Sequence, residues 1–164
     1  MVLCSFTVGD LLLGIDIMLV REIRRATPCT QVPGAPDFYM GLVNIRGQVA
    51  TIADLRTRLG WEQGGVGQDN TGYFIIMKTK PEVKEWYHDK VDKHCPWEDR
   101  FGLRVDKLGV VQDFGNEGFQ PRPANLEGIS ARFAKGVIEL DRKLLVVLNL
   151  PALMGFGDPE KMDD

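Results

Sequence analysis

The stretch Phe38-Tyr39-Met40-Gly41-Leu42-Val43-Asn44-Ile45-Arg46-Gly47-Gln48-Val49-Ala50-Thr51-Ile52-Ala53-Asp54-Leu55 decides the fold, because its pattern occurs twice in the chain. Phe38, Gly41, Leu55 and Gly60 recur as Phe133, Gly136, Leu150 and Gly155, each 95 residues further on. Between these marks Leu42-Val43 answers to Val137-Ile138, Ile45 to Leu140, Val49 to Leu144 and Ile52 to Val147. Arg46-Gly47 separates two apolar runs and reads as a hairpin turn; Asp141-Arg142 takes its place in the second copy. A further match lies upstream, where Gly14-Ile15, Ile17, Val20 and Ile23 align with Gly102-Leu103, Val105, Leu108 and Val111, all 88 residues apart.

The stretch from Gly14 to Ile23 opens with alternating apolar and polar residues, which predicts a strand with one buried face. Tyr73 to Met77, Gly102 to Val105 and Leu144 to Leu148 add short runs suited to a pleated surface. Each copy of strand, connection, hairpin and closing segment makes a sheet too small to bury its apolar face without curling or packing on its twin. The expectation is an all-β chain of two small barrels that share an interface. Residues 61–72, rich in Gly with Gln, Asp and Asn, read as a flexible connection. From Pro81 to His94 the period changes: Val83, Tyr87 and Val91 recur every four residues, and Asp89 with Lys93 makes an i,i+4 pair, so a short helix is expected within an insertion over 81–100. Pro151 to Met154 suggests a last helical turn, and 156–164 a polar tail.

Composition narrows the function. The 164 residues are 44% hydrophobic and 26% charged with a net charge of −3, an ordinary globular balance without the basic field that nucleic acid or anionic lipid would require. No apolar run approaches the ~20 residues that cross a bilayer. The opening residues lack a secretory pattern, and Cys4, Cys29 and Cys95 have no framework spacing, so reduced thiols and a cytoplasmic location are expected.

Chemistry is sparse. His88, His94 and Cys95 are the one set that suggests a metal, since His88 and Cys95 fall two helical turns apart. The set lacks a fourth ligand and a Cys-x-x-Cys or His-x-x-x-His spacing. A metal-dependent or redox sensor or enzyme built on these three stands as the alternative reading. No nucleophile elbow, phosphate loop or dinucleotide fingerprint is present. A chain that can build a core but carries no reaction centre works through its surface, as a binding module with no cofactor.

The run from Gly41 through Asn44-Ile45-Arg46-Gly47 to Asp54-Leu55-Arg56 resembles the hallmark of the CheW family, with Ile45 for its leucine and Thr51 for its proline. Gly102-Leu103-Arg104-Val105-Asp106 resembles the family's second-lobe strand, and Lys135 to Leu150 its closing hairpin. The resemblance implies two SH3-like five-stranded barrels packed as pseudo-repeats with short helical segments, in a single CheW-like domain. Lobe one would span approximately 15–80, and lobe two approximately 100–150 with the N-terminal strand. It implies a non-enzymatic chemotaxis adaptor joining methyl-accepting chemoreceptors to the regulatory domain of the histidine kinase CheA. Carried over by position, Ile17, Val20, Ile23 and Leu108 would bind the receptor, and Glu22, Gly41 and Arg46 would meet the kinase or its array. Val20→Asp is then expected to weaken receptor recruitment with the fold intact, although each of these aliphatics is also a candidate for barrel core.

Overall fold

The structure, a computed structural model, describes residues 1–60, 71–88, 91–121, 126 and 129–155. Among the described residues, eleven strands form two sheets. They are β1 (Val2–Val8), β2 (Leu11–Asp16), β3 (Val20–Arg25), β4 (Tyr39–Ile45), β5 (Gln48–Asp54), β6 (Tyr73–Met77), β7 (Phe101–Val105), β8 (Lys107–Asp113), β9 (Phe119–Pro121), β10 (Ala134–Leu140) and β11 (Lys143–Leu148). One sheet has the order β8-β1-β2-β11-β10-β9 and the other β3-β6-β7-β5-β4.

The repeat in the sequence is a repeat in space. Hairpin β4–β5 and hairpin β10–β11 share bounds to within one residue at the 95-residue offset, and both carry a register shift at the equivalent glycine, Gly41 or Gly136. Each hairpin leads into a single turn of helix, α1 (Leu55–Arg58) or, as expected from Pro151 to Met154, Leu150–Leu153. The first tight turn places Arg46 at φ 52° and Gly47 at φ 82°, the left-handed pair that matches hairpin twist. Asn44 Oδ1 accepts the Gly47 N–H at 2.9 Å and closes it.

The copies exchange strands. β5 runs parallel to β7, with Ile52 beside Gly102, while β11 runs parallel to β2, with Val147 beside Gly14. Each hairpin therefore pairs with the strand that belongs, by sequence likeness, to the other copy. The boundary expected near residue 100 is corrected by this pairing: β7 sits between β6 and β5 in the five-stranded sheet, which thus runs from Val20 to Val105.

Alternation along each strand supplies two cores at once. Ile52, Phe74 and Ile76 join Ala26, Ile45 and Ala50 inside the five-stranded sheet. Leu145 and Val147 join Leu3 and Ile138 inside the other. Their neighbours Ala53, Ile75, Met77, Val146 and Leu148 meet Phe6, Leu13, Ile15 and Leu103 in the cluster between sheets. A few aliphatics at ~1.5–3 kcal/mol each fall far below the ~1–2 kcal/mol per residue needed to order a sheet's backbone. Each lobe thus depends on the shared core.

Two expected elements change form. The strand anticipated from Gly14 to Ile23 is broken by a 3-10 turn at Ile17–Leu19, capped by Asp16, whose side chain accepts the Met18 N–H at 2.9 Å. The anticipated helix after Pro81 is two pieces, α2 (Lys80–Tyr87) and α3 (Val91–His94), interrupted at His88 with φ 46°. Glu82 and Thr79 form a capping box that starts α2, and Val83 and Val91 enter the shared core. Asp89 of the expected Asp89–Lys93 pair, most of the flexible connection (61–70) and the tail (156–164) lie outside the described residues.

Candidate functional site

The hallmark residues Asp54 and Arg56 belong to a charged knot where the lobes join. Arg104 Nη1 lies 2.8 Å from Asp106 Oδ1 and 3.6 Å from Asp54 Oδ1. Arg56 pairs with Asp106, whose Oδ2 also accepts the Gly9 N–H at 2.7 Å from the β1–β2 turn. Burial pushes the Asp106 carboxyl up, but the Gly9 N–H, Arg56 and Arg104 outweigh it and hold its pKa below the usual carboxylate range. Thr57 Oγ1 donates to Asp54 Oδ2 at 2.9 Å, while Asp54 Oδ1 is buried without a hydrogen bond. Arg104 and Asp54 are nearly desolvated and Arg56 and Asp106 largely so, which places an ion-pair network out of water where the lobes join.

The four aliphatics expected to face a receptor separate into two kinds. Val20 is 9% exposed and sits in the shared core, and Ile17 packs against that core from the 3-10 turn. Ile23 and Leu108 are 36% and 40% exposed on β3 and β8, which are edge strands of different sheets. β1 is common to both regions: its Phe6 pairs with Leu108, and it packs against the 3-10 turn. The expectation that Val20→Asp spares the fold is corrected by this burial, because it would put a carboxylate into apolar packing.

Every residue of β8 is exposed. Val110 and Val111 project apolar surface beside Leu108, which the sequence reading missed. Val111 stands 88 residues after Ile23 in the same internal match, a signal that was available for it.

Glu22 and Arg46 meet each other, Arg46 Nη2 lying 3.5 Å from Glu22 Oε2, with the Arg46 side chain 78% exposed. Gly41 is buried. Its φ of 136° and a position where a Cβ would lie 2.3 Å from the Thr30 carbonyl oxygen explain the glycine by backbone approach rather than by surface contact.

His88, His94 and Cys95 do not converge. Among the described residues no three His, Cys, Asp or Glu side chains are grouped to hold a metal ion. His94 stacks on Tyr87 with ring centroids 4.3 Å apart. Cys95 is fully buried, and its Sγ faces the carbonyl oxygens of Lys78 and Trp97 at 3.6 and 3.9 Å. Burial and, less strongly, Glu82 push its thiol up to about 12, the opposite of what a thiolate nucleophile or ligand needs.

What this architecture offers is two barrels with a common core, a desolvated knot between them and exposed apolar edges. That is the build of a scaffold domain, and the CheW-like domain model matches residues 3–156. The chain belongs to the CheW-like domain family. Its relatives include a Rhizobium etli protein named "Probable chemotaxis protein CheW", 30% identical over 96% of this chain and 90% of that protein. The "Chemotaxis protein CheW" of Rhizobium meliloti is 29% identical over 92% of this chain and 85% of that one. The crystal structure of the scaffolding protein TtCheW from Thermoanaerobacter tengcongensis superposes with a TM-score of 0.74 at 24% identity, covering 94% and 92% of the two chains. The all-β fold of paired SH3-like barrels is thus shared with a solved relative. Among the described residues no helix is long and apolar enough to cross a membrane.

Proposed function

We propose that this chain is a cytoplasmic, non-enzymatic coupling protein that joins the cytoplasmic tip of a methyl-accepting chemoreceptor to the regulatory domain of the histidine kinase CheA. The carrying observation is the exposed apolar surface of the two edge strands, Ile23 on β3 with Leu108, Val110 and Val111 on β8. Exposed aliphatics on sheet edges suit the apolar face of a partner helix, and a few of them should carry most of the binding energy. Kinase contact falls to the first lobe at Glu22 and Arg46, an ion pair whose arginine is exposed.

The test is co-sedimentation of the purified protein with receptor-bearing membranes, with and without CheA. Recovery with both, reduced by Leu108→Asp in a folded protein, supports the reading. Absence of the wild-type protein from receptor membranes rejects it.

A further inference from the structure

One helix holds the segment that leads into β3 at both ends. At its start, Asp16 caps the 3-10 turn through Oδ1, and its Oδ2 accepts a hydrogen bond from the Tyr87 hydroxyl at the end of α2. In the middle, the Lys78 N–H donates to the Leu19 carbonyl at 2.8 Å. At its far end, Arg21 pairs with Glu82 on the first turn of α2. Ile17 and Val20 lie between these ties.

The helix that supplies them is itself well anchored. Glu82 accepts from Thr79 N at 2.7 Å and from Arg100 Nη1 and Nη2 at 2.7 and 3.0 Å, while Arg100 also donates to the Met77 carbonyl at 3.0 Å. Val83 is fully buried, and Tyr87 is braced by stacking on His94. Trp97 Nε1 donates to the Lys78 carbonyl at 2.7 Å, so the residue whose N–H reaches Leu19 is held from its other side. The ties therefore run from a rigid support to a single turn of 3-10 helix, whose own hydrogen bonds are few.

We infer that the helical insertion is a positioning device for the receptor-facing segment: Tyr87 and Glu82 set the course of Asp16–Arg21, and so the aim of Ile17 and Ile23, without touching the partner. This rests on the coupling role proposed above. A binding edge pre-set in its bound form loses less freedom on association, so affinity depends on residues outside the contact. Tyr87 and Glu82 are positioning residues in this sense, and partner preference can change through the insertion while the edge strands stay the same.

The experiment uses the full chain and two readouts. Tyr87→Phe removes one hydroxyl and keeps the ring that packs and stacks; Glu82→Gln is the companion variant. Hydrogen exchange of the Met18 to Arg21 amides is measured on the free protein, and binding is measured separately to receptor-bearing membranes and to the isolated CheA regulatory domain. Tyr87→Phe is expected to speed exchange in that segment and to weaken receptor binding about fivefold, the scale of one net hydrogen bond, with kinase binding unchanged. Asp16→Asn combined with Tyr87→Phe should weaken receptor binding by less than the product of the single effects. Unchanged exchange in both single variants overturns the positioning role, as does faster exchange with unaltered receptor binding. An equal loss of both partners marks a general structural effect and also overturns it. Faster exchange in a protein whose wild type ignores receptors rejects the coupling role and leaves the bracket standing as a feature of the fold.

Discussion

Arg46 and Glu22 stand 3.5 Å apart although they belong to opposite margins of one sheet. β3, which carries Glu22, and the β4–β5 turn, which carries Arg46, are separated in the ladder by β6, β7 and β5. The pair meets only because the sheet curls on itself, as closure of a small barrel requires. An ion pair this exposed contributes about 0–1 kcal/mol, so it marks the closure more than it maintains it. Arg46→Ala should leave the unfolding midpoint nearly unchanged and weaken binding to the CheA regulatory domain about tenfold or more, as loss of an interface anchor does. Calorimetric titration with the isolated regulatory domain checks this, and an unaltered affinity would move the kinase contact away from the turn.

The knot at the lobe junction behaves differently because it is desolvated. Arg104 and Asp54 expose only 10% and 3% of their side chains. Arg104→Met leaves the buried Asp54 without its cation and removes one of the two arginines on Asp106, and is expected to cost about 3–5 kcal/mol, the range for breaking a buried pair. Urea unfolding followed by tryptophan fluorescence reads the loss directly. A change below about 1 kcal/mol would mean that water solvates the knot.

Burial sorts the receptor-facing aliphatics into two outcomes. Val20→Asp places a charge in the shared core and should destabilise the protein by about 3 kcal/mol or more. Ile23→Asp and Leu108→Asp alter exposed positions, should change stability by about 0.5 kcal/mol or less, and should still reduce recovery with receptor membranes. Thermal melts run beside the sedimentation assay separate the two groups; a stable Val20→Asp protein would contradict the packing described for β3.

Acid should loosen the insertion first. Burial pushes the Glu82 carboxyl up, yet hydrogen bonds from Arg100 and Thr79 bring it down to about 2 from an ordinary 4.5. A folded-state value below the unfolded one means that the carboxylate's contribution is complete above the unfolded pKa and is lost as pH falls through the folded one. Stability should therefore decline between about pH 5 and pH 2, and Glu82→Gln should flatten that slope while lowering stability at neutral pH. Urea midpoints at pH 7, 4 and 3 test this; parallel slopes for wild type and variant would assign the acid sensitivity to other groups.

The equivalent glycines of the two hairpins are not equally constrained. A Cβ on Gly41 would lie 2.3 Å from a backbone oxygen at φ 136°, whereas on Gly136 it would meet the Phe119 ring at 2.4 Å. Both substitutions would press on backbone, since the Gly136 Cβ would also lie 2.7 Å from the Gln120 carbonyl oxygen, but only Gly41 adds a positive φ to the clash. Gly41→Ala should cost about 2 kcal/mol or more and Gly136→Ala less, since strain at a special φ adds to the clash. Chemical unfolding of both variants gives the comparison, and equal costs would count against it.

The break in the expected strand has one physical origin. Alternation carried past Asp16 treats Gly14 to Ile23 as one strand, but the 3-10 turn inserts three residues of a different period and resets which side faces inward. Val20 therefore enters the core and Ile23 leaves it. The apolar spacing of Val83, Tyr87 and Val91 after Pro81 was legible from residue order alone, and the helices formed where that order indicated. That their ends reach Asp16 and Arg21 was not, because those contacts join residues 71 and 61 positions apart.

By itself the residue order determined the all-β class, the duplicated hairpin with its turn at Arg46-Gly47, and membership of a family that shares this pattern. Only the tertiary structure decided which copy's strand lies beside which hairpin. Ile52 against Gly102 and Val147 against Gly14 are the same local match made twice, with the same alternation and a glycine at the same place. Local pattern is degenerate between exchanged and unexchanged pairing. The choice came from the shared core, which fills when β2 and β7 lie where each shows one face to its own barrel and the other to its neighbour's.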